Sequence, residues 1–269
     1  MKNKGKEEKK VKDFSSKISK FNFCFTIDKE VKEKLSLKNL LKSRLFGAVC
    51  YNNLKIQLII AQNIHVDIID DLLDFDITCS EIEVVLNKKS SINYNFKILQ
   101  IENLIKDDVF KIARSFRWAG LRKFTEKELY FKFVGENSFA KIRCYCKGNN
   151  DSVFNLRTIQ HHQASNTKSD LKIKGAFLKD SKLICDSIIK IDKNLQKVEV
   201  EQLNKNLLLG CNSKVISIPK LEVKSDNVKC KHGVTVRRLD DSNIFYLQSR
   251  GIDFCSAKNI LVNAFFVND

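Results

Sequence analysis

A cysteine and a histidine near the C-terminus are the residues best placed to do chemistry in this chain. Cys230 and His232 alternate with two lysines, so an extended strand would put both side chains on one face. A thiolate and an imidazole on one face can bind the same atom, and this pair of ligands suits iron, zinc or an iron–sulfur species. A buried cysteine beside a surface histidine gives the same pattern, and the spacing alone favours that structural interpretation.

The residues that follow this pair predict a turn and then two helices. The strand is expected to end in a turn at Gly233. A cap within residues 240–242 precedes the short helix IFYLQSR, for which Gly251 is the expected stop. Asp253 or Ser256 would cap a second helix, whose apolar stripe is expected to pack on the end of the core. The stripe contains Ala257, Ile260, Leu261, Ala264 and Phe265.

Alternating apolar and polar residues over most of the chain predict short β-strands. In the first half these are the runs FNFCFTI, SRLFGAVCY, LKIQLIIA, NIHVDII, EIEVVL and YNFKILQI. The segment EVKEKLSLKNLLKSR could form a helical turn, and VFKIARSFRWAG, which contains Trp118, could form a short helix. Beyond Leu129 the alternation is regular. In one strand, Phe131 and Phe133 are predicted to share a face. In the next strand, the residues predicted to share a face are Ala140, Ile142, Cys144 and Cys146.

Pairs of apolar residues in the second half recur at a regular interval. Three pairs are 18 residues apart: Leu171 with Ile173, Ile189 with Ile191, and Leu207 with Leu209. A second series, Leu183 with Cys185 and Val198 with Val200, falls between them. Short strands at such an interval suggest a solenoid, in which each turn buries its inner face on the next. A β-sandwich also has short strands, so the interval alone leaves both folds open.

Composition is that of a soluble globular protein of 269 residues, with 43% hydrophobic residues and a mean hydropathy of −0.26. No apolar run reaches the roughly 18 residues that a membrane span requires. The lysine-rich N-terminus has no apolar segment typical of a secretory signal, so we expect a cytoplasmic protein. The nine cysteines are scattered and odd in number, which indicates reduced thiols, mostly in the core. The pair Cys144 and Cys146 is interpreted as structural.

The net charge of +16 raises the alternative of a basic nucleic-acid-binding protein. Residues 1–20 contribute eight lysines against three acidic residues and are expected to form a flexible tail. The remaining charge is dispersed among acidic residues, without the basic, aromatic-spaced ribbon of RNA-binding proteins. Nucleic acid is therefore the weaker interpretation.

Several long segments resemble a known family. The run DNVKCKHGVTVRRLD, followed by IFYLQSRGI and AKNILVNAF, resembles the C-terminal signature of the SufB/SufD family of iron–sulfur cluster assembly proteins. Upstream, HHQASNTKSDLKIKGAFLKDSK and IPKLEVKSDNVKC resemble further family segments, so that the likeness runs from about Phe139 onward. The SufD branch is the more similar one.

The resemblance implies a mainly β fold, a right-handed parallel β-helix core over residues 21–235 followed by a short helical segment over residues 236–269. It also implies a non-catalytic scaffold that pairs with SufB and binds the SufC ATPase. Cys230 and His232 would lie at the SufB interface as ligands of a transient iron–sulfur cluster, which the isolated chain would not hold stably. The expected SufC contacts are Phe245, Tyr246, Arg250 and Gly251.

The chain departs from the family pattern at several positions. After the histidine, relatives have Gly-Ala-Thr-Val-Gly-Gln, whereas this chain has arginine at positions 237 and 238. Relatives also continue past the position of Asp269, so we expect a shortened SufC-docking segment. The neighbouring residues His161 and His162 fall at a family position that carries an acidic residue and a histidine, and we favour a structural role for them.

Three alternatives to the SufD-like scaffold follow from the same residues. One is a SufB-like protein that carries more of the cluster itself, and a second is the nucleic-acid-binding protein. The third is a β-helix enzyme acting on acidic polysaccharide, which would require clustered acidic residues and secretion. No Ser/His/Asp triad, paired carboxylates or phosphate-binding glycine loop is evident, so ATP hydrolysis would have to come from a partner.

Overall fold

The computed structural model describes residues 11–13, 23–29, 31, 34–42, 54–72, 79–99 and 124–267. Most of the lysine-rich tail lies outside the described residues. So do the predicted strand SRLFGAVCY and the predicted helix with Trp118.

Fifteen strands and three helices are described. In chain order they are β1 (Val11–Asp13), β2 (Phe23–Ile27), β3 (Leu35–Ser36), α1 (Leu37–Lys42), β4 (Leu54–Ile60), β5 (His65–Asp70), β6 (Cys79–Leu86), β7 (Ser91–Leu99), β8 (Phe124–Phe133), β9 (Phe139–Gly148), β10 (Val153–His162), β11 (Lys168–Phe177), β12 (Lys182–Ile191), β13 (Gln196–Leu208), β14 (Lys214–Val223), β15 (Asn227–Arg238), α2 (Asp241–Ser249) and α3 (Phe254–Val267). Five of the six strand runs predicted in the first half are thereby confirmed.

The strands form two parallel sheets that wind into a β-solenoid, which confirms the predicted fold class. Sheet A has the order β1-β2-β4-β6-β8-β10-β12-β14, and sheet B has the order β15-β13-β11-β9-β7-β5-β3. From β2 onward, successive strands of the chain therefore alternate between the sheets, and every pairing is parallel except that of β1 with β2. Each turn of the solenoid adds one strand to each sheet.

The length of a turn differs from the predicted interval. Val153 of β10 pairs with Phe124 on one side and Lys182 on the other, each 29 residues away. The 18-residue interval instead connects Leu171 in sheet B with Ile189 in sheet A. Inward-facing positions of both sheets carry similar apolar residues. The distance in sequence from a strand of one sheet to the next strand in the other sheet was therefore mistaken for the length of a turn. The 18-residue period was wrong, although the solenoid inferred from it was right.

Inward-facing side chains alternate along the strands from β4 to β13 and fill the core between the sheets. The predicted faces are confirmed, since Phe131, Phe133, Cys144 and Cys146 are all buried. The turns between strands use residues in the left-handed region, where asparagine is tolerated better than most other residues. Five asparagines adopt positive φ there: Asn63, Asn137, Asn150, Asn166 and Asn194.

Both C-terminal helices begin after predicted caps, and α2 ends before the predicted glycine. Asp240 caps α2 by accepting a hydrogen bond from the Ser242 amide at 2.9 Å, and Asp253 accepts one from the Ser256 amide at 3.0 Å. Gly251 follows α2 with a φ of +83°, which a side chain would disfavour. We therefore confirm the caps and the glycine stop.

Helix α3 lies against the outer surface of sheet B and buries part of the predicted stripe, namely Ala257 and the partly buried Phe265. Val262 packs against Ala176 and Leu207, whereas Ile260 and Ala264 are exposed. The Lys174 ammonium donates to the Phe265 carbonyl oxygen at 3.1 Å and helps to hold the helix there. The outward apolar residues of the sheet, Ala176 and Leu207, determine which side of the helix packs inward.

The turn predicted at Gly233 is also wrong. Strand β15 continues through Gly233 to Arg238, because the parallel ladder with β13 persists along the whole segment, with Leu203 opposite Gly233. The helices therefore start only after a strand that spans the full motif.

Candidate functional site

Cys230 and His232 lie on the last strand of sheet B, at the open end of the solenoid. Their register partners on β13 are Val200 and Gln202, which both face the core. Cys230 and His232 therefore also face inward, as the alternation predicted, with Cα atoms about 6.6 Å apart along the strand. Because β15 is the last strand of its sheet, His232 is exposed and Cys230 is only half-buried.

The thiol of Cys230 borders a small apolar cluster. Val198 and Val200 are buried there beside Ile189 and Ile191, and Cys230 packs against them. Burial raises the pKa of the Cys230 thiol, so it is mostly protonated at neutral pH. A metal or a positively charged partner that approached this end would favour the thiolate, which is the form that binds metals.

The open end presents apolar side chains next to unoccupied strand edges. Strand β14 pairs with β12 and strand β15 with β13, and no other described strand pairs with either of them. The exposed apolar residues of these two strands are Ile216, Ile218, Leu221, Val223, Val234 and Val236. An edge with unpaired backbone groups and apolar side chains is a surface that another chain can extend.

The four residues expected at a second contact lie together on α2 and at its end. Phe245 and Tyr246 are 73% and 57% exposed, while Ile244 on the opposite side of the helix is buried. The Arg250 guanidinium lies 5.3 Å from the centre of the Tyr246 ring, a cation–π contact that orders both side chains. Gly251 then ends the helix, so that this aromatic surface stops at a sharp turn.

His162 has a structural environment. Its ring is buried, stacks on Phe133 with 4.1 Å between ring centres, and bonds through Nδ1 to the Thr167 hydroxyl at 2.7 Å and through Nε2 to the Ser169 hydroxyl at 3.0 Å. Burial lowers the pKa of His162 to about 3. Both nitrogens are occupied inside the core, which leaves no lone pair for a ligand from solvent.

This environment predicts an acid sensitivity of the fold. Unfolded histidine binds a proton near pH 6.5, but folded His162 does so only near pH 3. Its contribution to stability is therefore complete above about pH 6.5 and is lost as the pH falls toward 3, by up to about 1.4 kcal/mol per pH unit. Chemical denaturation of wild type and His162→Gln between pH 7 and pH 5 should show a smaller slope for the variant. The exposed His65, changed to Gln, is the control, and a slope unaltered by His162→Gln would contradict the prediction.

His161 faces outward and belongs to a different network. Its Nδ1 bonds to the Tyr130 hydroxyl at 2.8 Å, and its Nε2 lies 3.0 Å from Asp192 Oδ1. The three residues come from successive turns, each 31 residues from the next. The sequence alone does not show that these three side chains meet, because that depends on the register between strands of successive turns.

A buried ion pair inside the solenoid was also missed. Lys127 Nζ lies 2.5 Å from Asp70 Oδ2, to which the Tyr94 hydroxyl also donates at 2.5 Å, and all three side chains are buried. The available signal was the alternation in β8, where Thr125, Lys127 and Leu129 share the inward parity. Within the described residues, no group of three or more His, Cys, Asp or Glu side chains could hold a metal ion. No helix of the described part is long and apolar enough to cross a membrane.

Comparison with known proteins finds a family match over most of the chain. Residues 52–265 match the family described as "SUF system FeS cluster assembly, SufBD core domain". The chain is 32% identical over 164 residues to the iron–sulfur cluster assembly protein SufD of Escherichia coli, a match that covers 60% of this chain and 38% of that protein.

Two further relatives match shorter stretches. The SufBD family protein slr0076 of Synechocystis is 31% identical over 121 residues, which cover 41% of this chain and 27% of that protein. SufD of Plasmodium berghei is 33% identical over 110 residues, 40% of this chain and 8% of that protein. The chain thus spans well under half the length of these relatives. Since the family match includes most of the solenoid and the open end, the chain belongs to the SufB/SufD family of iron–sulfur cluster assembly proteins, and within it the chain is SufD-like.

Proposed function

We propose that this chain is a scaffold subunit of a cytoplasmic SufBCD assembly, in which it builds iron–sulfur clusters together with SufB and the SufC ATPase. The observation that supports this most is the open end of the solenoid, where Cys230 and His232 lie beside two unoccupied strand edges. This end falls inside the residues that match the family. The chain itself is a non-catalytic subunit, and ATP hydrolysis belongs to SufC.

The number of ligands at this end argues for a shared cluster. Iron–sulfur clusters usually take four protein ligands, and β15 offers two, His232 as the first candidate and Cys230 as the second. The thiol of Cys230 also has a raised pKa in the isolated chain, which weakens it as a ligand. SufB would supply the remaining ligands when its own strands extend those of this chain, so that the cluster forms only between the two subunits.

Helix α2 is the proposed contact for SufC. Exposed aromatic residues and arginine are the types that most often dominate the energy of protein interfaces, and Phe245, Tyr246 and Arg250 provide them on one short helix. Helix α3 links this surface to the solenoid, because Val262 packs on the outer side of sheet B. Movement of a bound ATPase would thereby be transmitted through α3 to sheet B, whose last strand carries Cys230 and His232.

Co-expression of the tagged chain with SufB and SufC from the same source tests the proposal, with the subunits that co-purify as the readout. We expect all three to be recovered. Tyr246→Ala should weaken SufC binding by about tenfold, since truncation of an interface aromatic commonly costs more than 1 kcal/mol, while SufB is retained. The matched control is Phe124→Ala, which removes an exposed aromatic ring at the start of β8.

Two results would contradict the proposal in different ways. Recovery of SufC undiminished by Tyr246→Ala would place the ATPase contact elsewhere on the chain. Failure of both SufB and SufC to co-purify with the wild-type chain would overturn the scaffold function, and a salt-dependent shift of RNA or DNA would then favour the nucleic-acid alternative.

A further inference from the structure

A buried amide pair lies directly behind the proposed ligand His232. Gln202 of β13 is the register partner of His232 on the adjacent strand, and both side chains face inward. Gln202 is only 2% exposed. Neighbouring parallel strands are about 4.8 Å apart, so these two side chains lie side by side at the last layer of the core.

The other member of the pair fixes the orientation of this amide. Gln160 projects from β10 in the opposite sheet and is completely buried. Its Nε2 donates across the core to Gln202 Oε1 at 3.2 Å. The carbonyl oxygen of Gln202 is therefore occupied on the core side. Its amide nitrogen donates no hydrogen bond within the described residues, and the buried atom of the pair that lacks a partner is Gln160 Oε1.

A buried amide pair that leaves the Gln160 oxygen unpaired needs an explanation in this position. A buried polar group that lacks a hydrogen-bond partner costs about 1–3 kcal/mol, and an apolar residue would fit the interior of the solenoid without that cost. The layers around it show this, because Leu171 occupies the corresponding place on β11 and Ile142 the one on β9. Along this row of register partners, the residue changes from apolar to amide on β13, the strand next to His232.

We propose that Gln202 is a third residue of the site, which donates from its amide nitrogen to a sulfide or thiolate sulfur of a cluster held at His232. Gln160 is a positioning residue, since it acts by holding the Gln202 carbonyl. This inference rests on the proposed function of the open end. The ligand class that Gln202 recognises is an anionic sulfur atom, which accepts a hydrogen bond but offers none.

The chemical consequence is a change in redox behaviour rather than in assembly. Hydrogen bonds to the sulfur atoms are among the factors that set the reduction potential of an iron–sulfur cluster. A donor stabilises the reduced cluster, which carries more negative charge, more than the oxidised one. Removal of the Gln202 donor should therefore shift the potential to more negative values while the iron ligands stay in place.

The test uses the complex with SufB and SufC, loaded anaerobically with ferrous iron and sulfide. Gln202→Leu should lower the midpoint potential and shift the Fe–S stretching bands in resonance Raman spectra, with iron content close to that of wild type. Gln202→Glu puts a carboxylate in place of the amide, so we expect a larger negative shift and loss of iron. Gln160→Leu should shift the potential in the same direction by less. Asn206→Leu is the matched control, because Asn206 is an equally buried inward amide on β13 that adjoins Val236 instead of His232.

The outcomes separate this inference from the proposed function. If His232→Ala abolishes the cluster but Gln202→Leu leaves both the potential and the Raman bands unchanged, Gln202 is not part of the site and only the inference fails. Increased iron content with Gln202→Glu would also overturn it, since the side-chain oxygen would then face the metal. If His232→Ala itself leaves cluster content unchanged, the open end is not the site and the proposed function fails.

Discussion

Replacing Lys127 by methionine is expected to destabilise the protein by about 3–5 kcal/mol, the usual cost of leaving one member of a buried ion pair without its partner. Lys127 Nζ lies 2.5 Å from Asp70 Oδ2 in the centre of the solenoid, and its ammonium group also lies 4.8 Å from the centre of the Phe96 ring. Burial lowers the pKa of Lys127, while the charge of Asp70 opposes that change. Methionine matches the lysine stem, so the loss comes mainly from the uncompensated carboxylate.

Urea denaturation of wild type, Lys127→Met and the double variant Asp70→Leu/Lys127→Met measures this effect. The double variant should recover most of the loss, because an apolar pair of similar volume often replaces a buried ion pair at little cost. Lys168→Met is the control, since its ion pair with Glu199 is exposed and worth at most about 1 kcal/mol. A destabilisation by Lys127→Met no larger than that of the control would contradict the importance of the buried pair.

Replacing His232 by alanine is expected to reduce the iron and acid-labile sulfide bound by the complex with SufB and SufC at least about tenfold. Residues that only support a metal ligand typically change metal affinity about 10–100-fold, so loss of a direct ligand should cost no less. Subunit recovery should stay unchanged, because His232 contributes one side chain to an interface built mainly from strand edges and apolar residues.

Cys230→Ala should cause a smaller loss of iron, since burial keeps the thiol mostly protonated before the partner binds. His65→Ala is the matched control, as His65 is another exposed histidine that lies on β5 near the other end of the solenoid. Full retention of iron by His232→Ala, with all three subunits present, would remove His232 from the site.

The sequence predicted the strands and the faces of the solenoid well, because a period of two in hydrophobicity is a local property. Cys230 and His232 were correctly placed on one face by that alternation alone. The caps at Asp240 and Asp253 were also local, since each carboxylate bonds to an amide two or three residues further on.

The errors and omissions have one physical origin, which is that register and docking depend on distant residues. Lys127 and Asp70 are 57 residues apart, and Gln202 and His232 are 30 apart, so neither relation has a local signal. Strand β15 continues through Gly233 because β13 pairs with it as far as Leu208 opposite Arg238. The exposure of Ile260 and Ala264 on α3 depends on which part of sheet B the helix covers, and helical periodicity alone does not reveal that.

Hydrogen exchange of the backbone amides of β14 and β15, compared between the free chain and its complex with SufB, tests the central claim most directly. If the open end is the SufB interface, amides on the unoccupied edges of residues 214–223 and 227–238 gain hydrogen bonds, and their exchange should slow at least about tenfold. Unchanged exchange in both strands, with protection elsewhere on the chain, would show that SufB binds at another surface and that His232 does not face it.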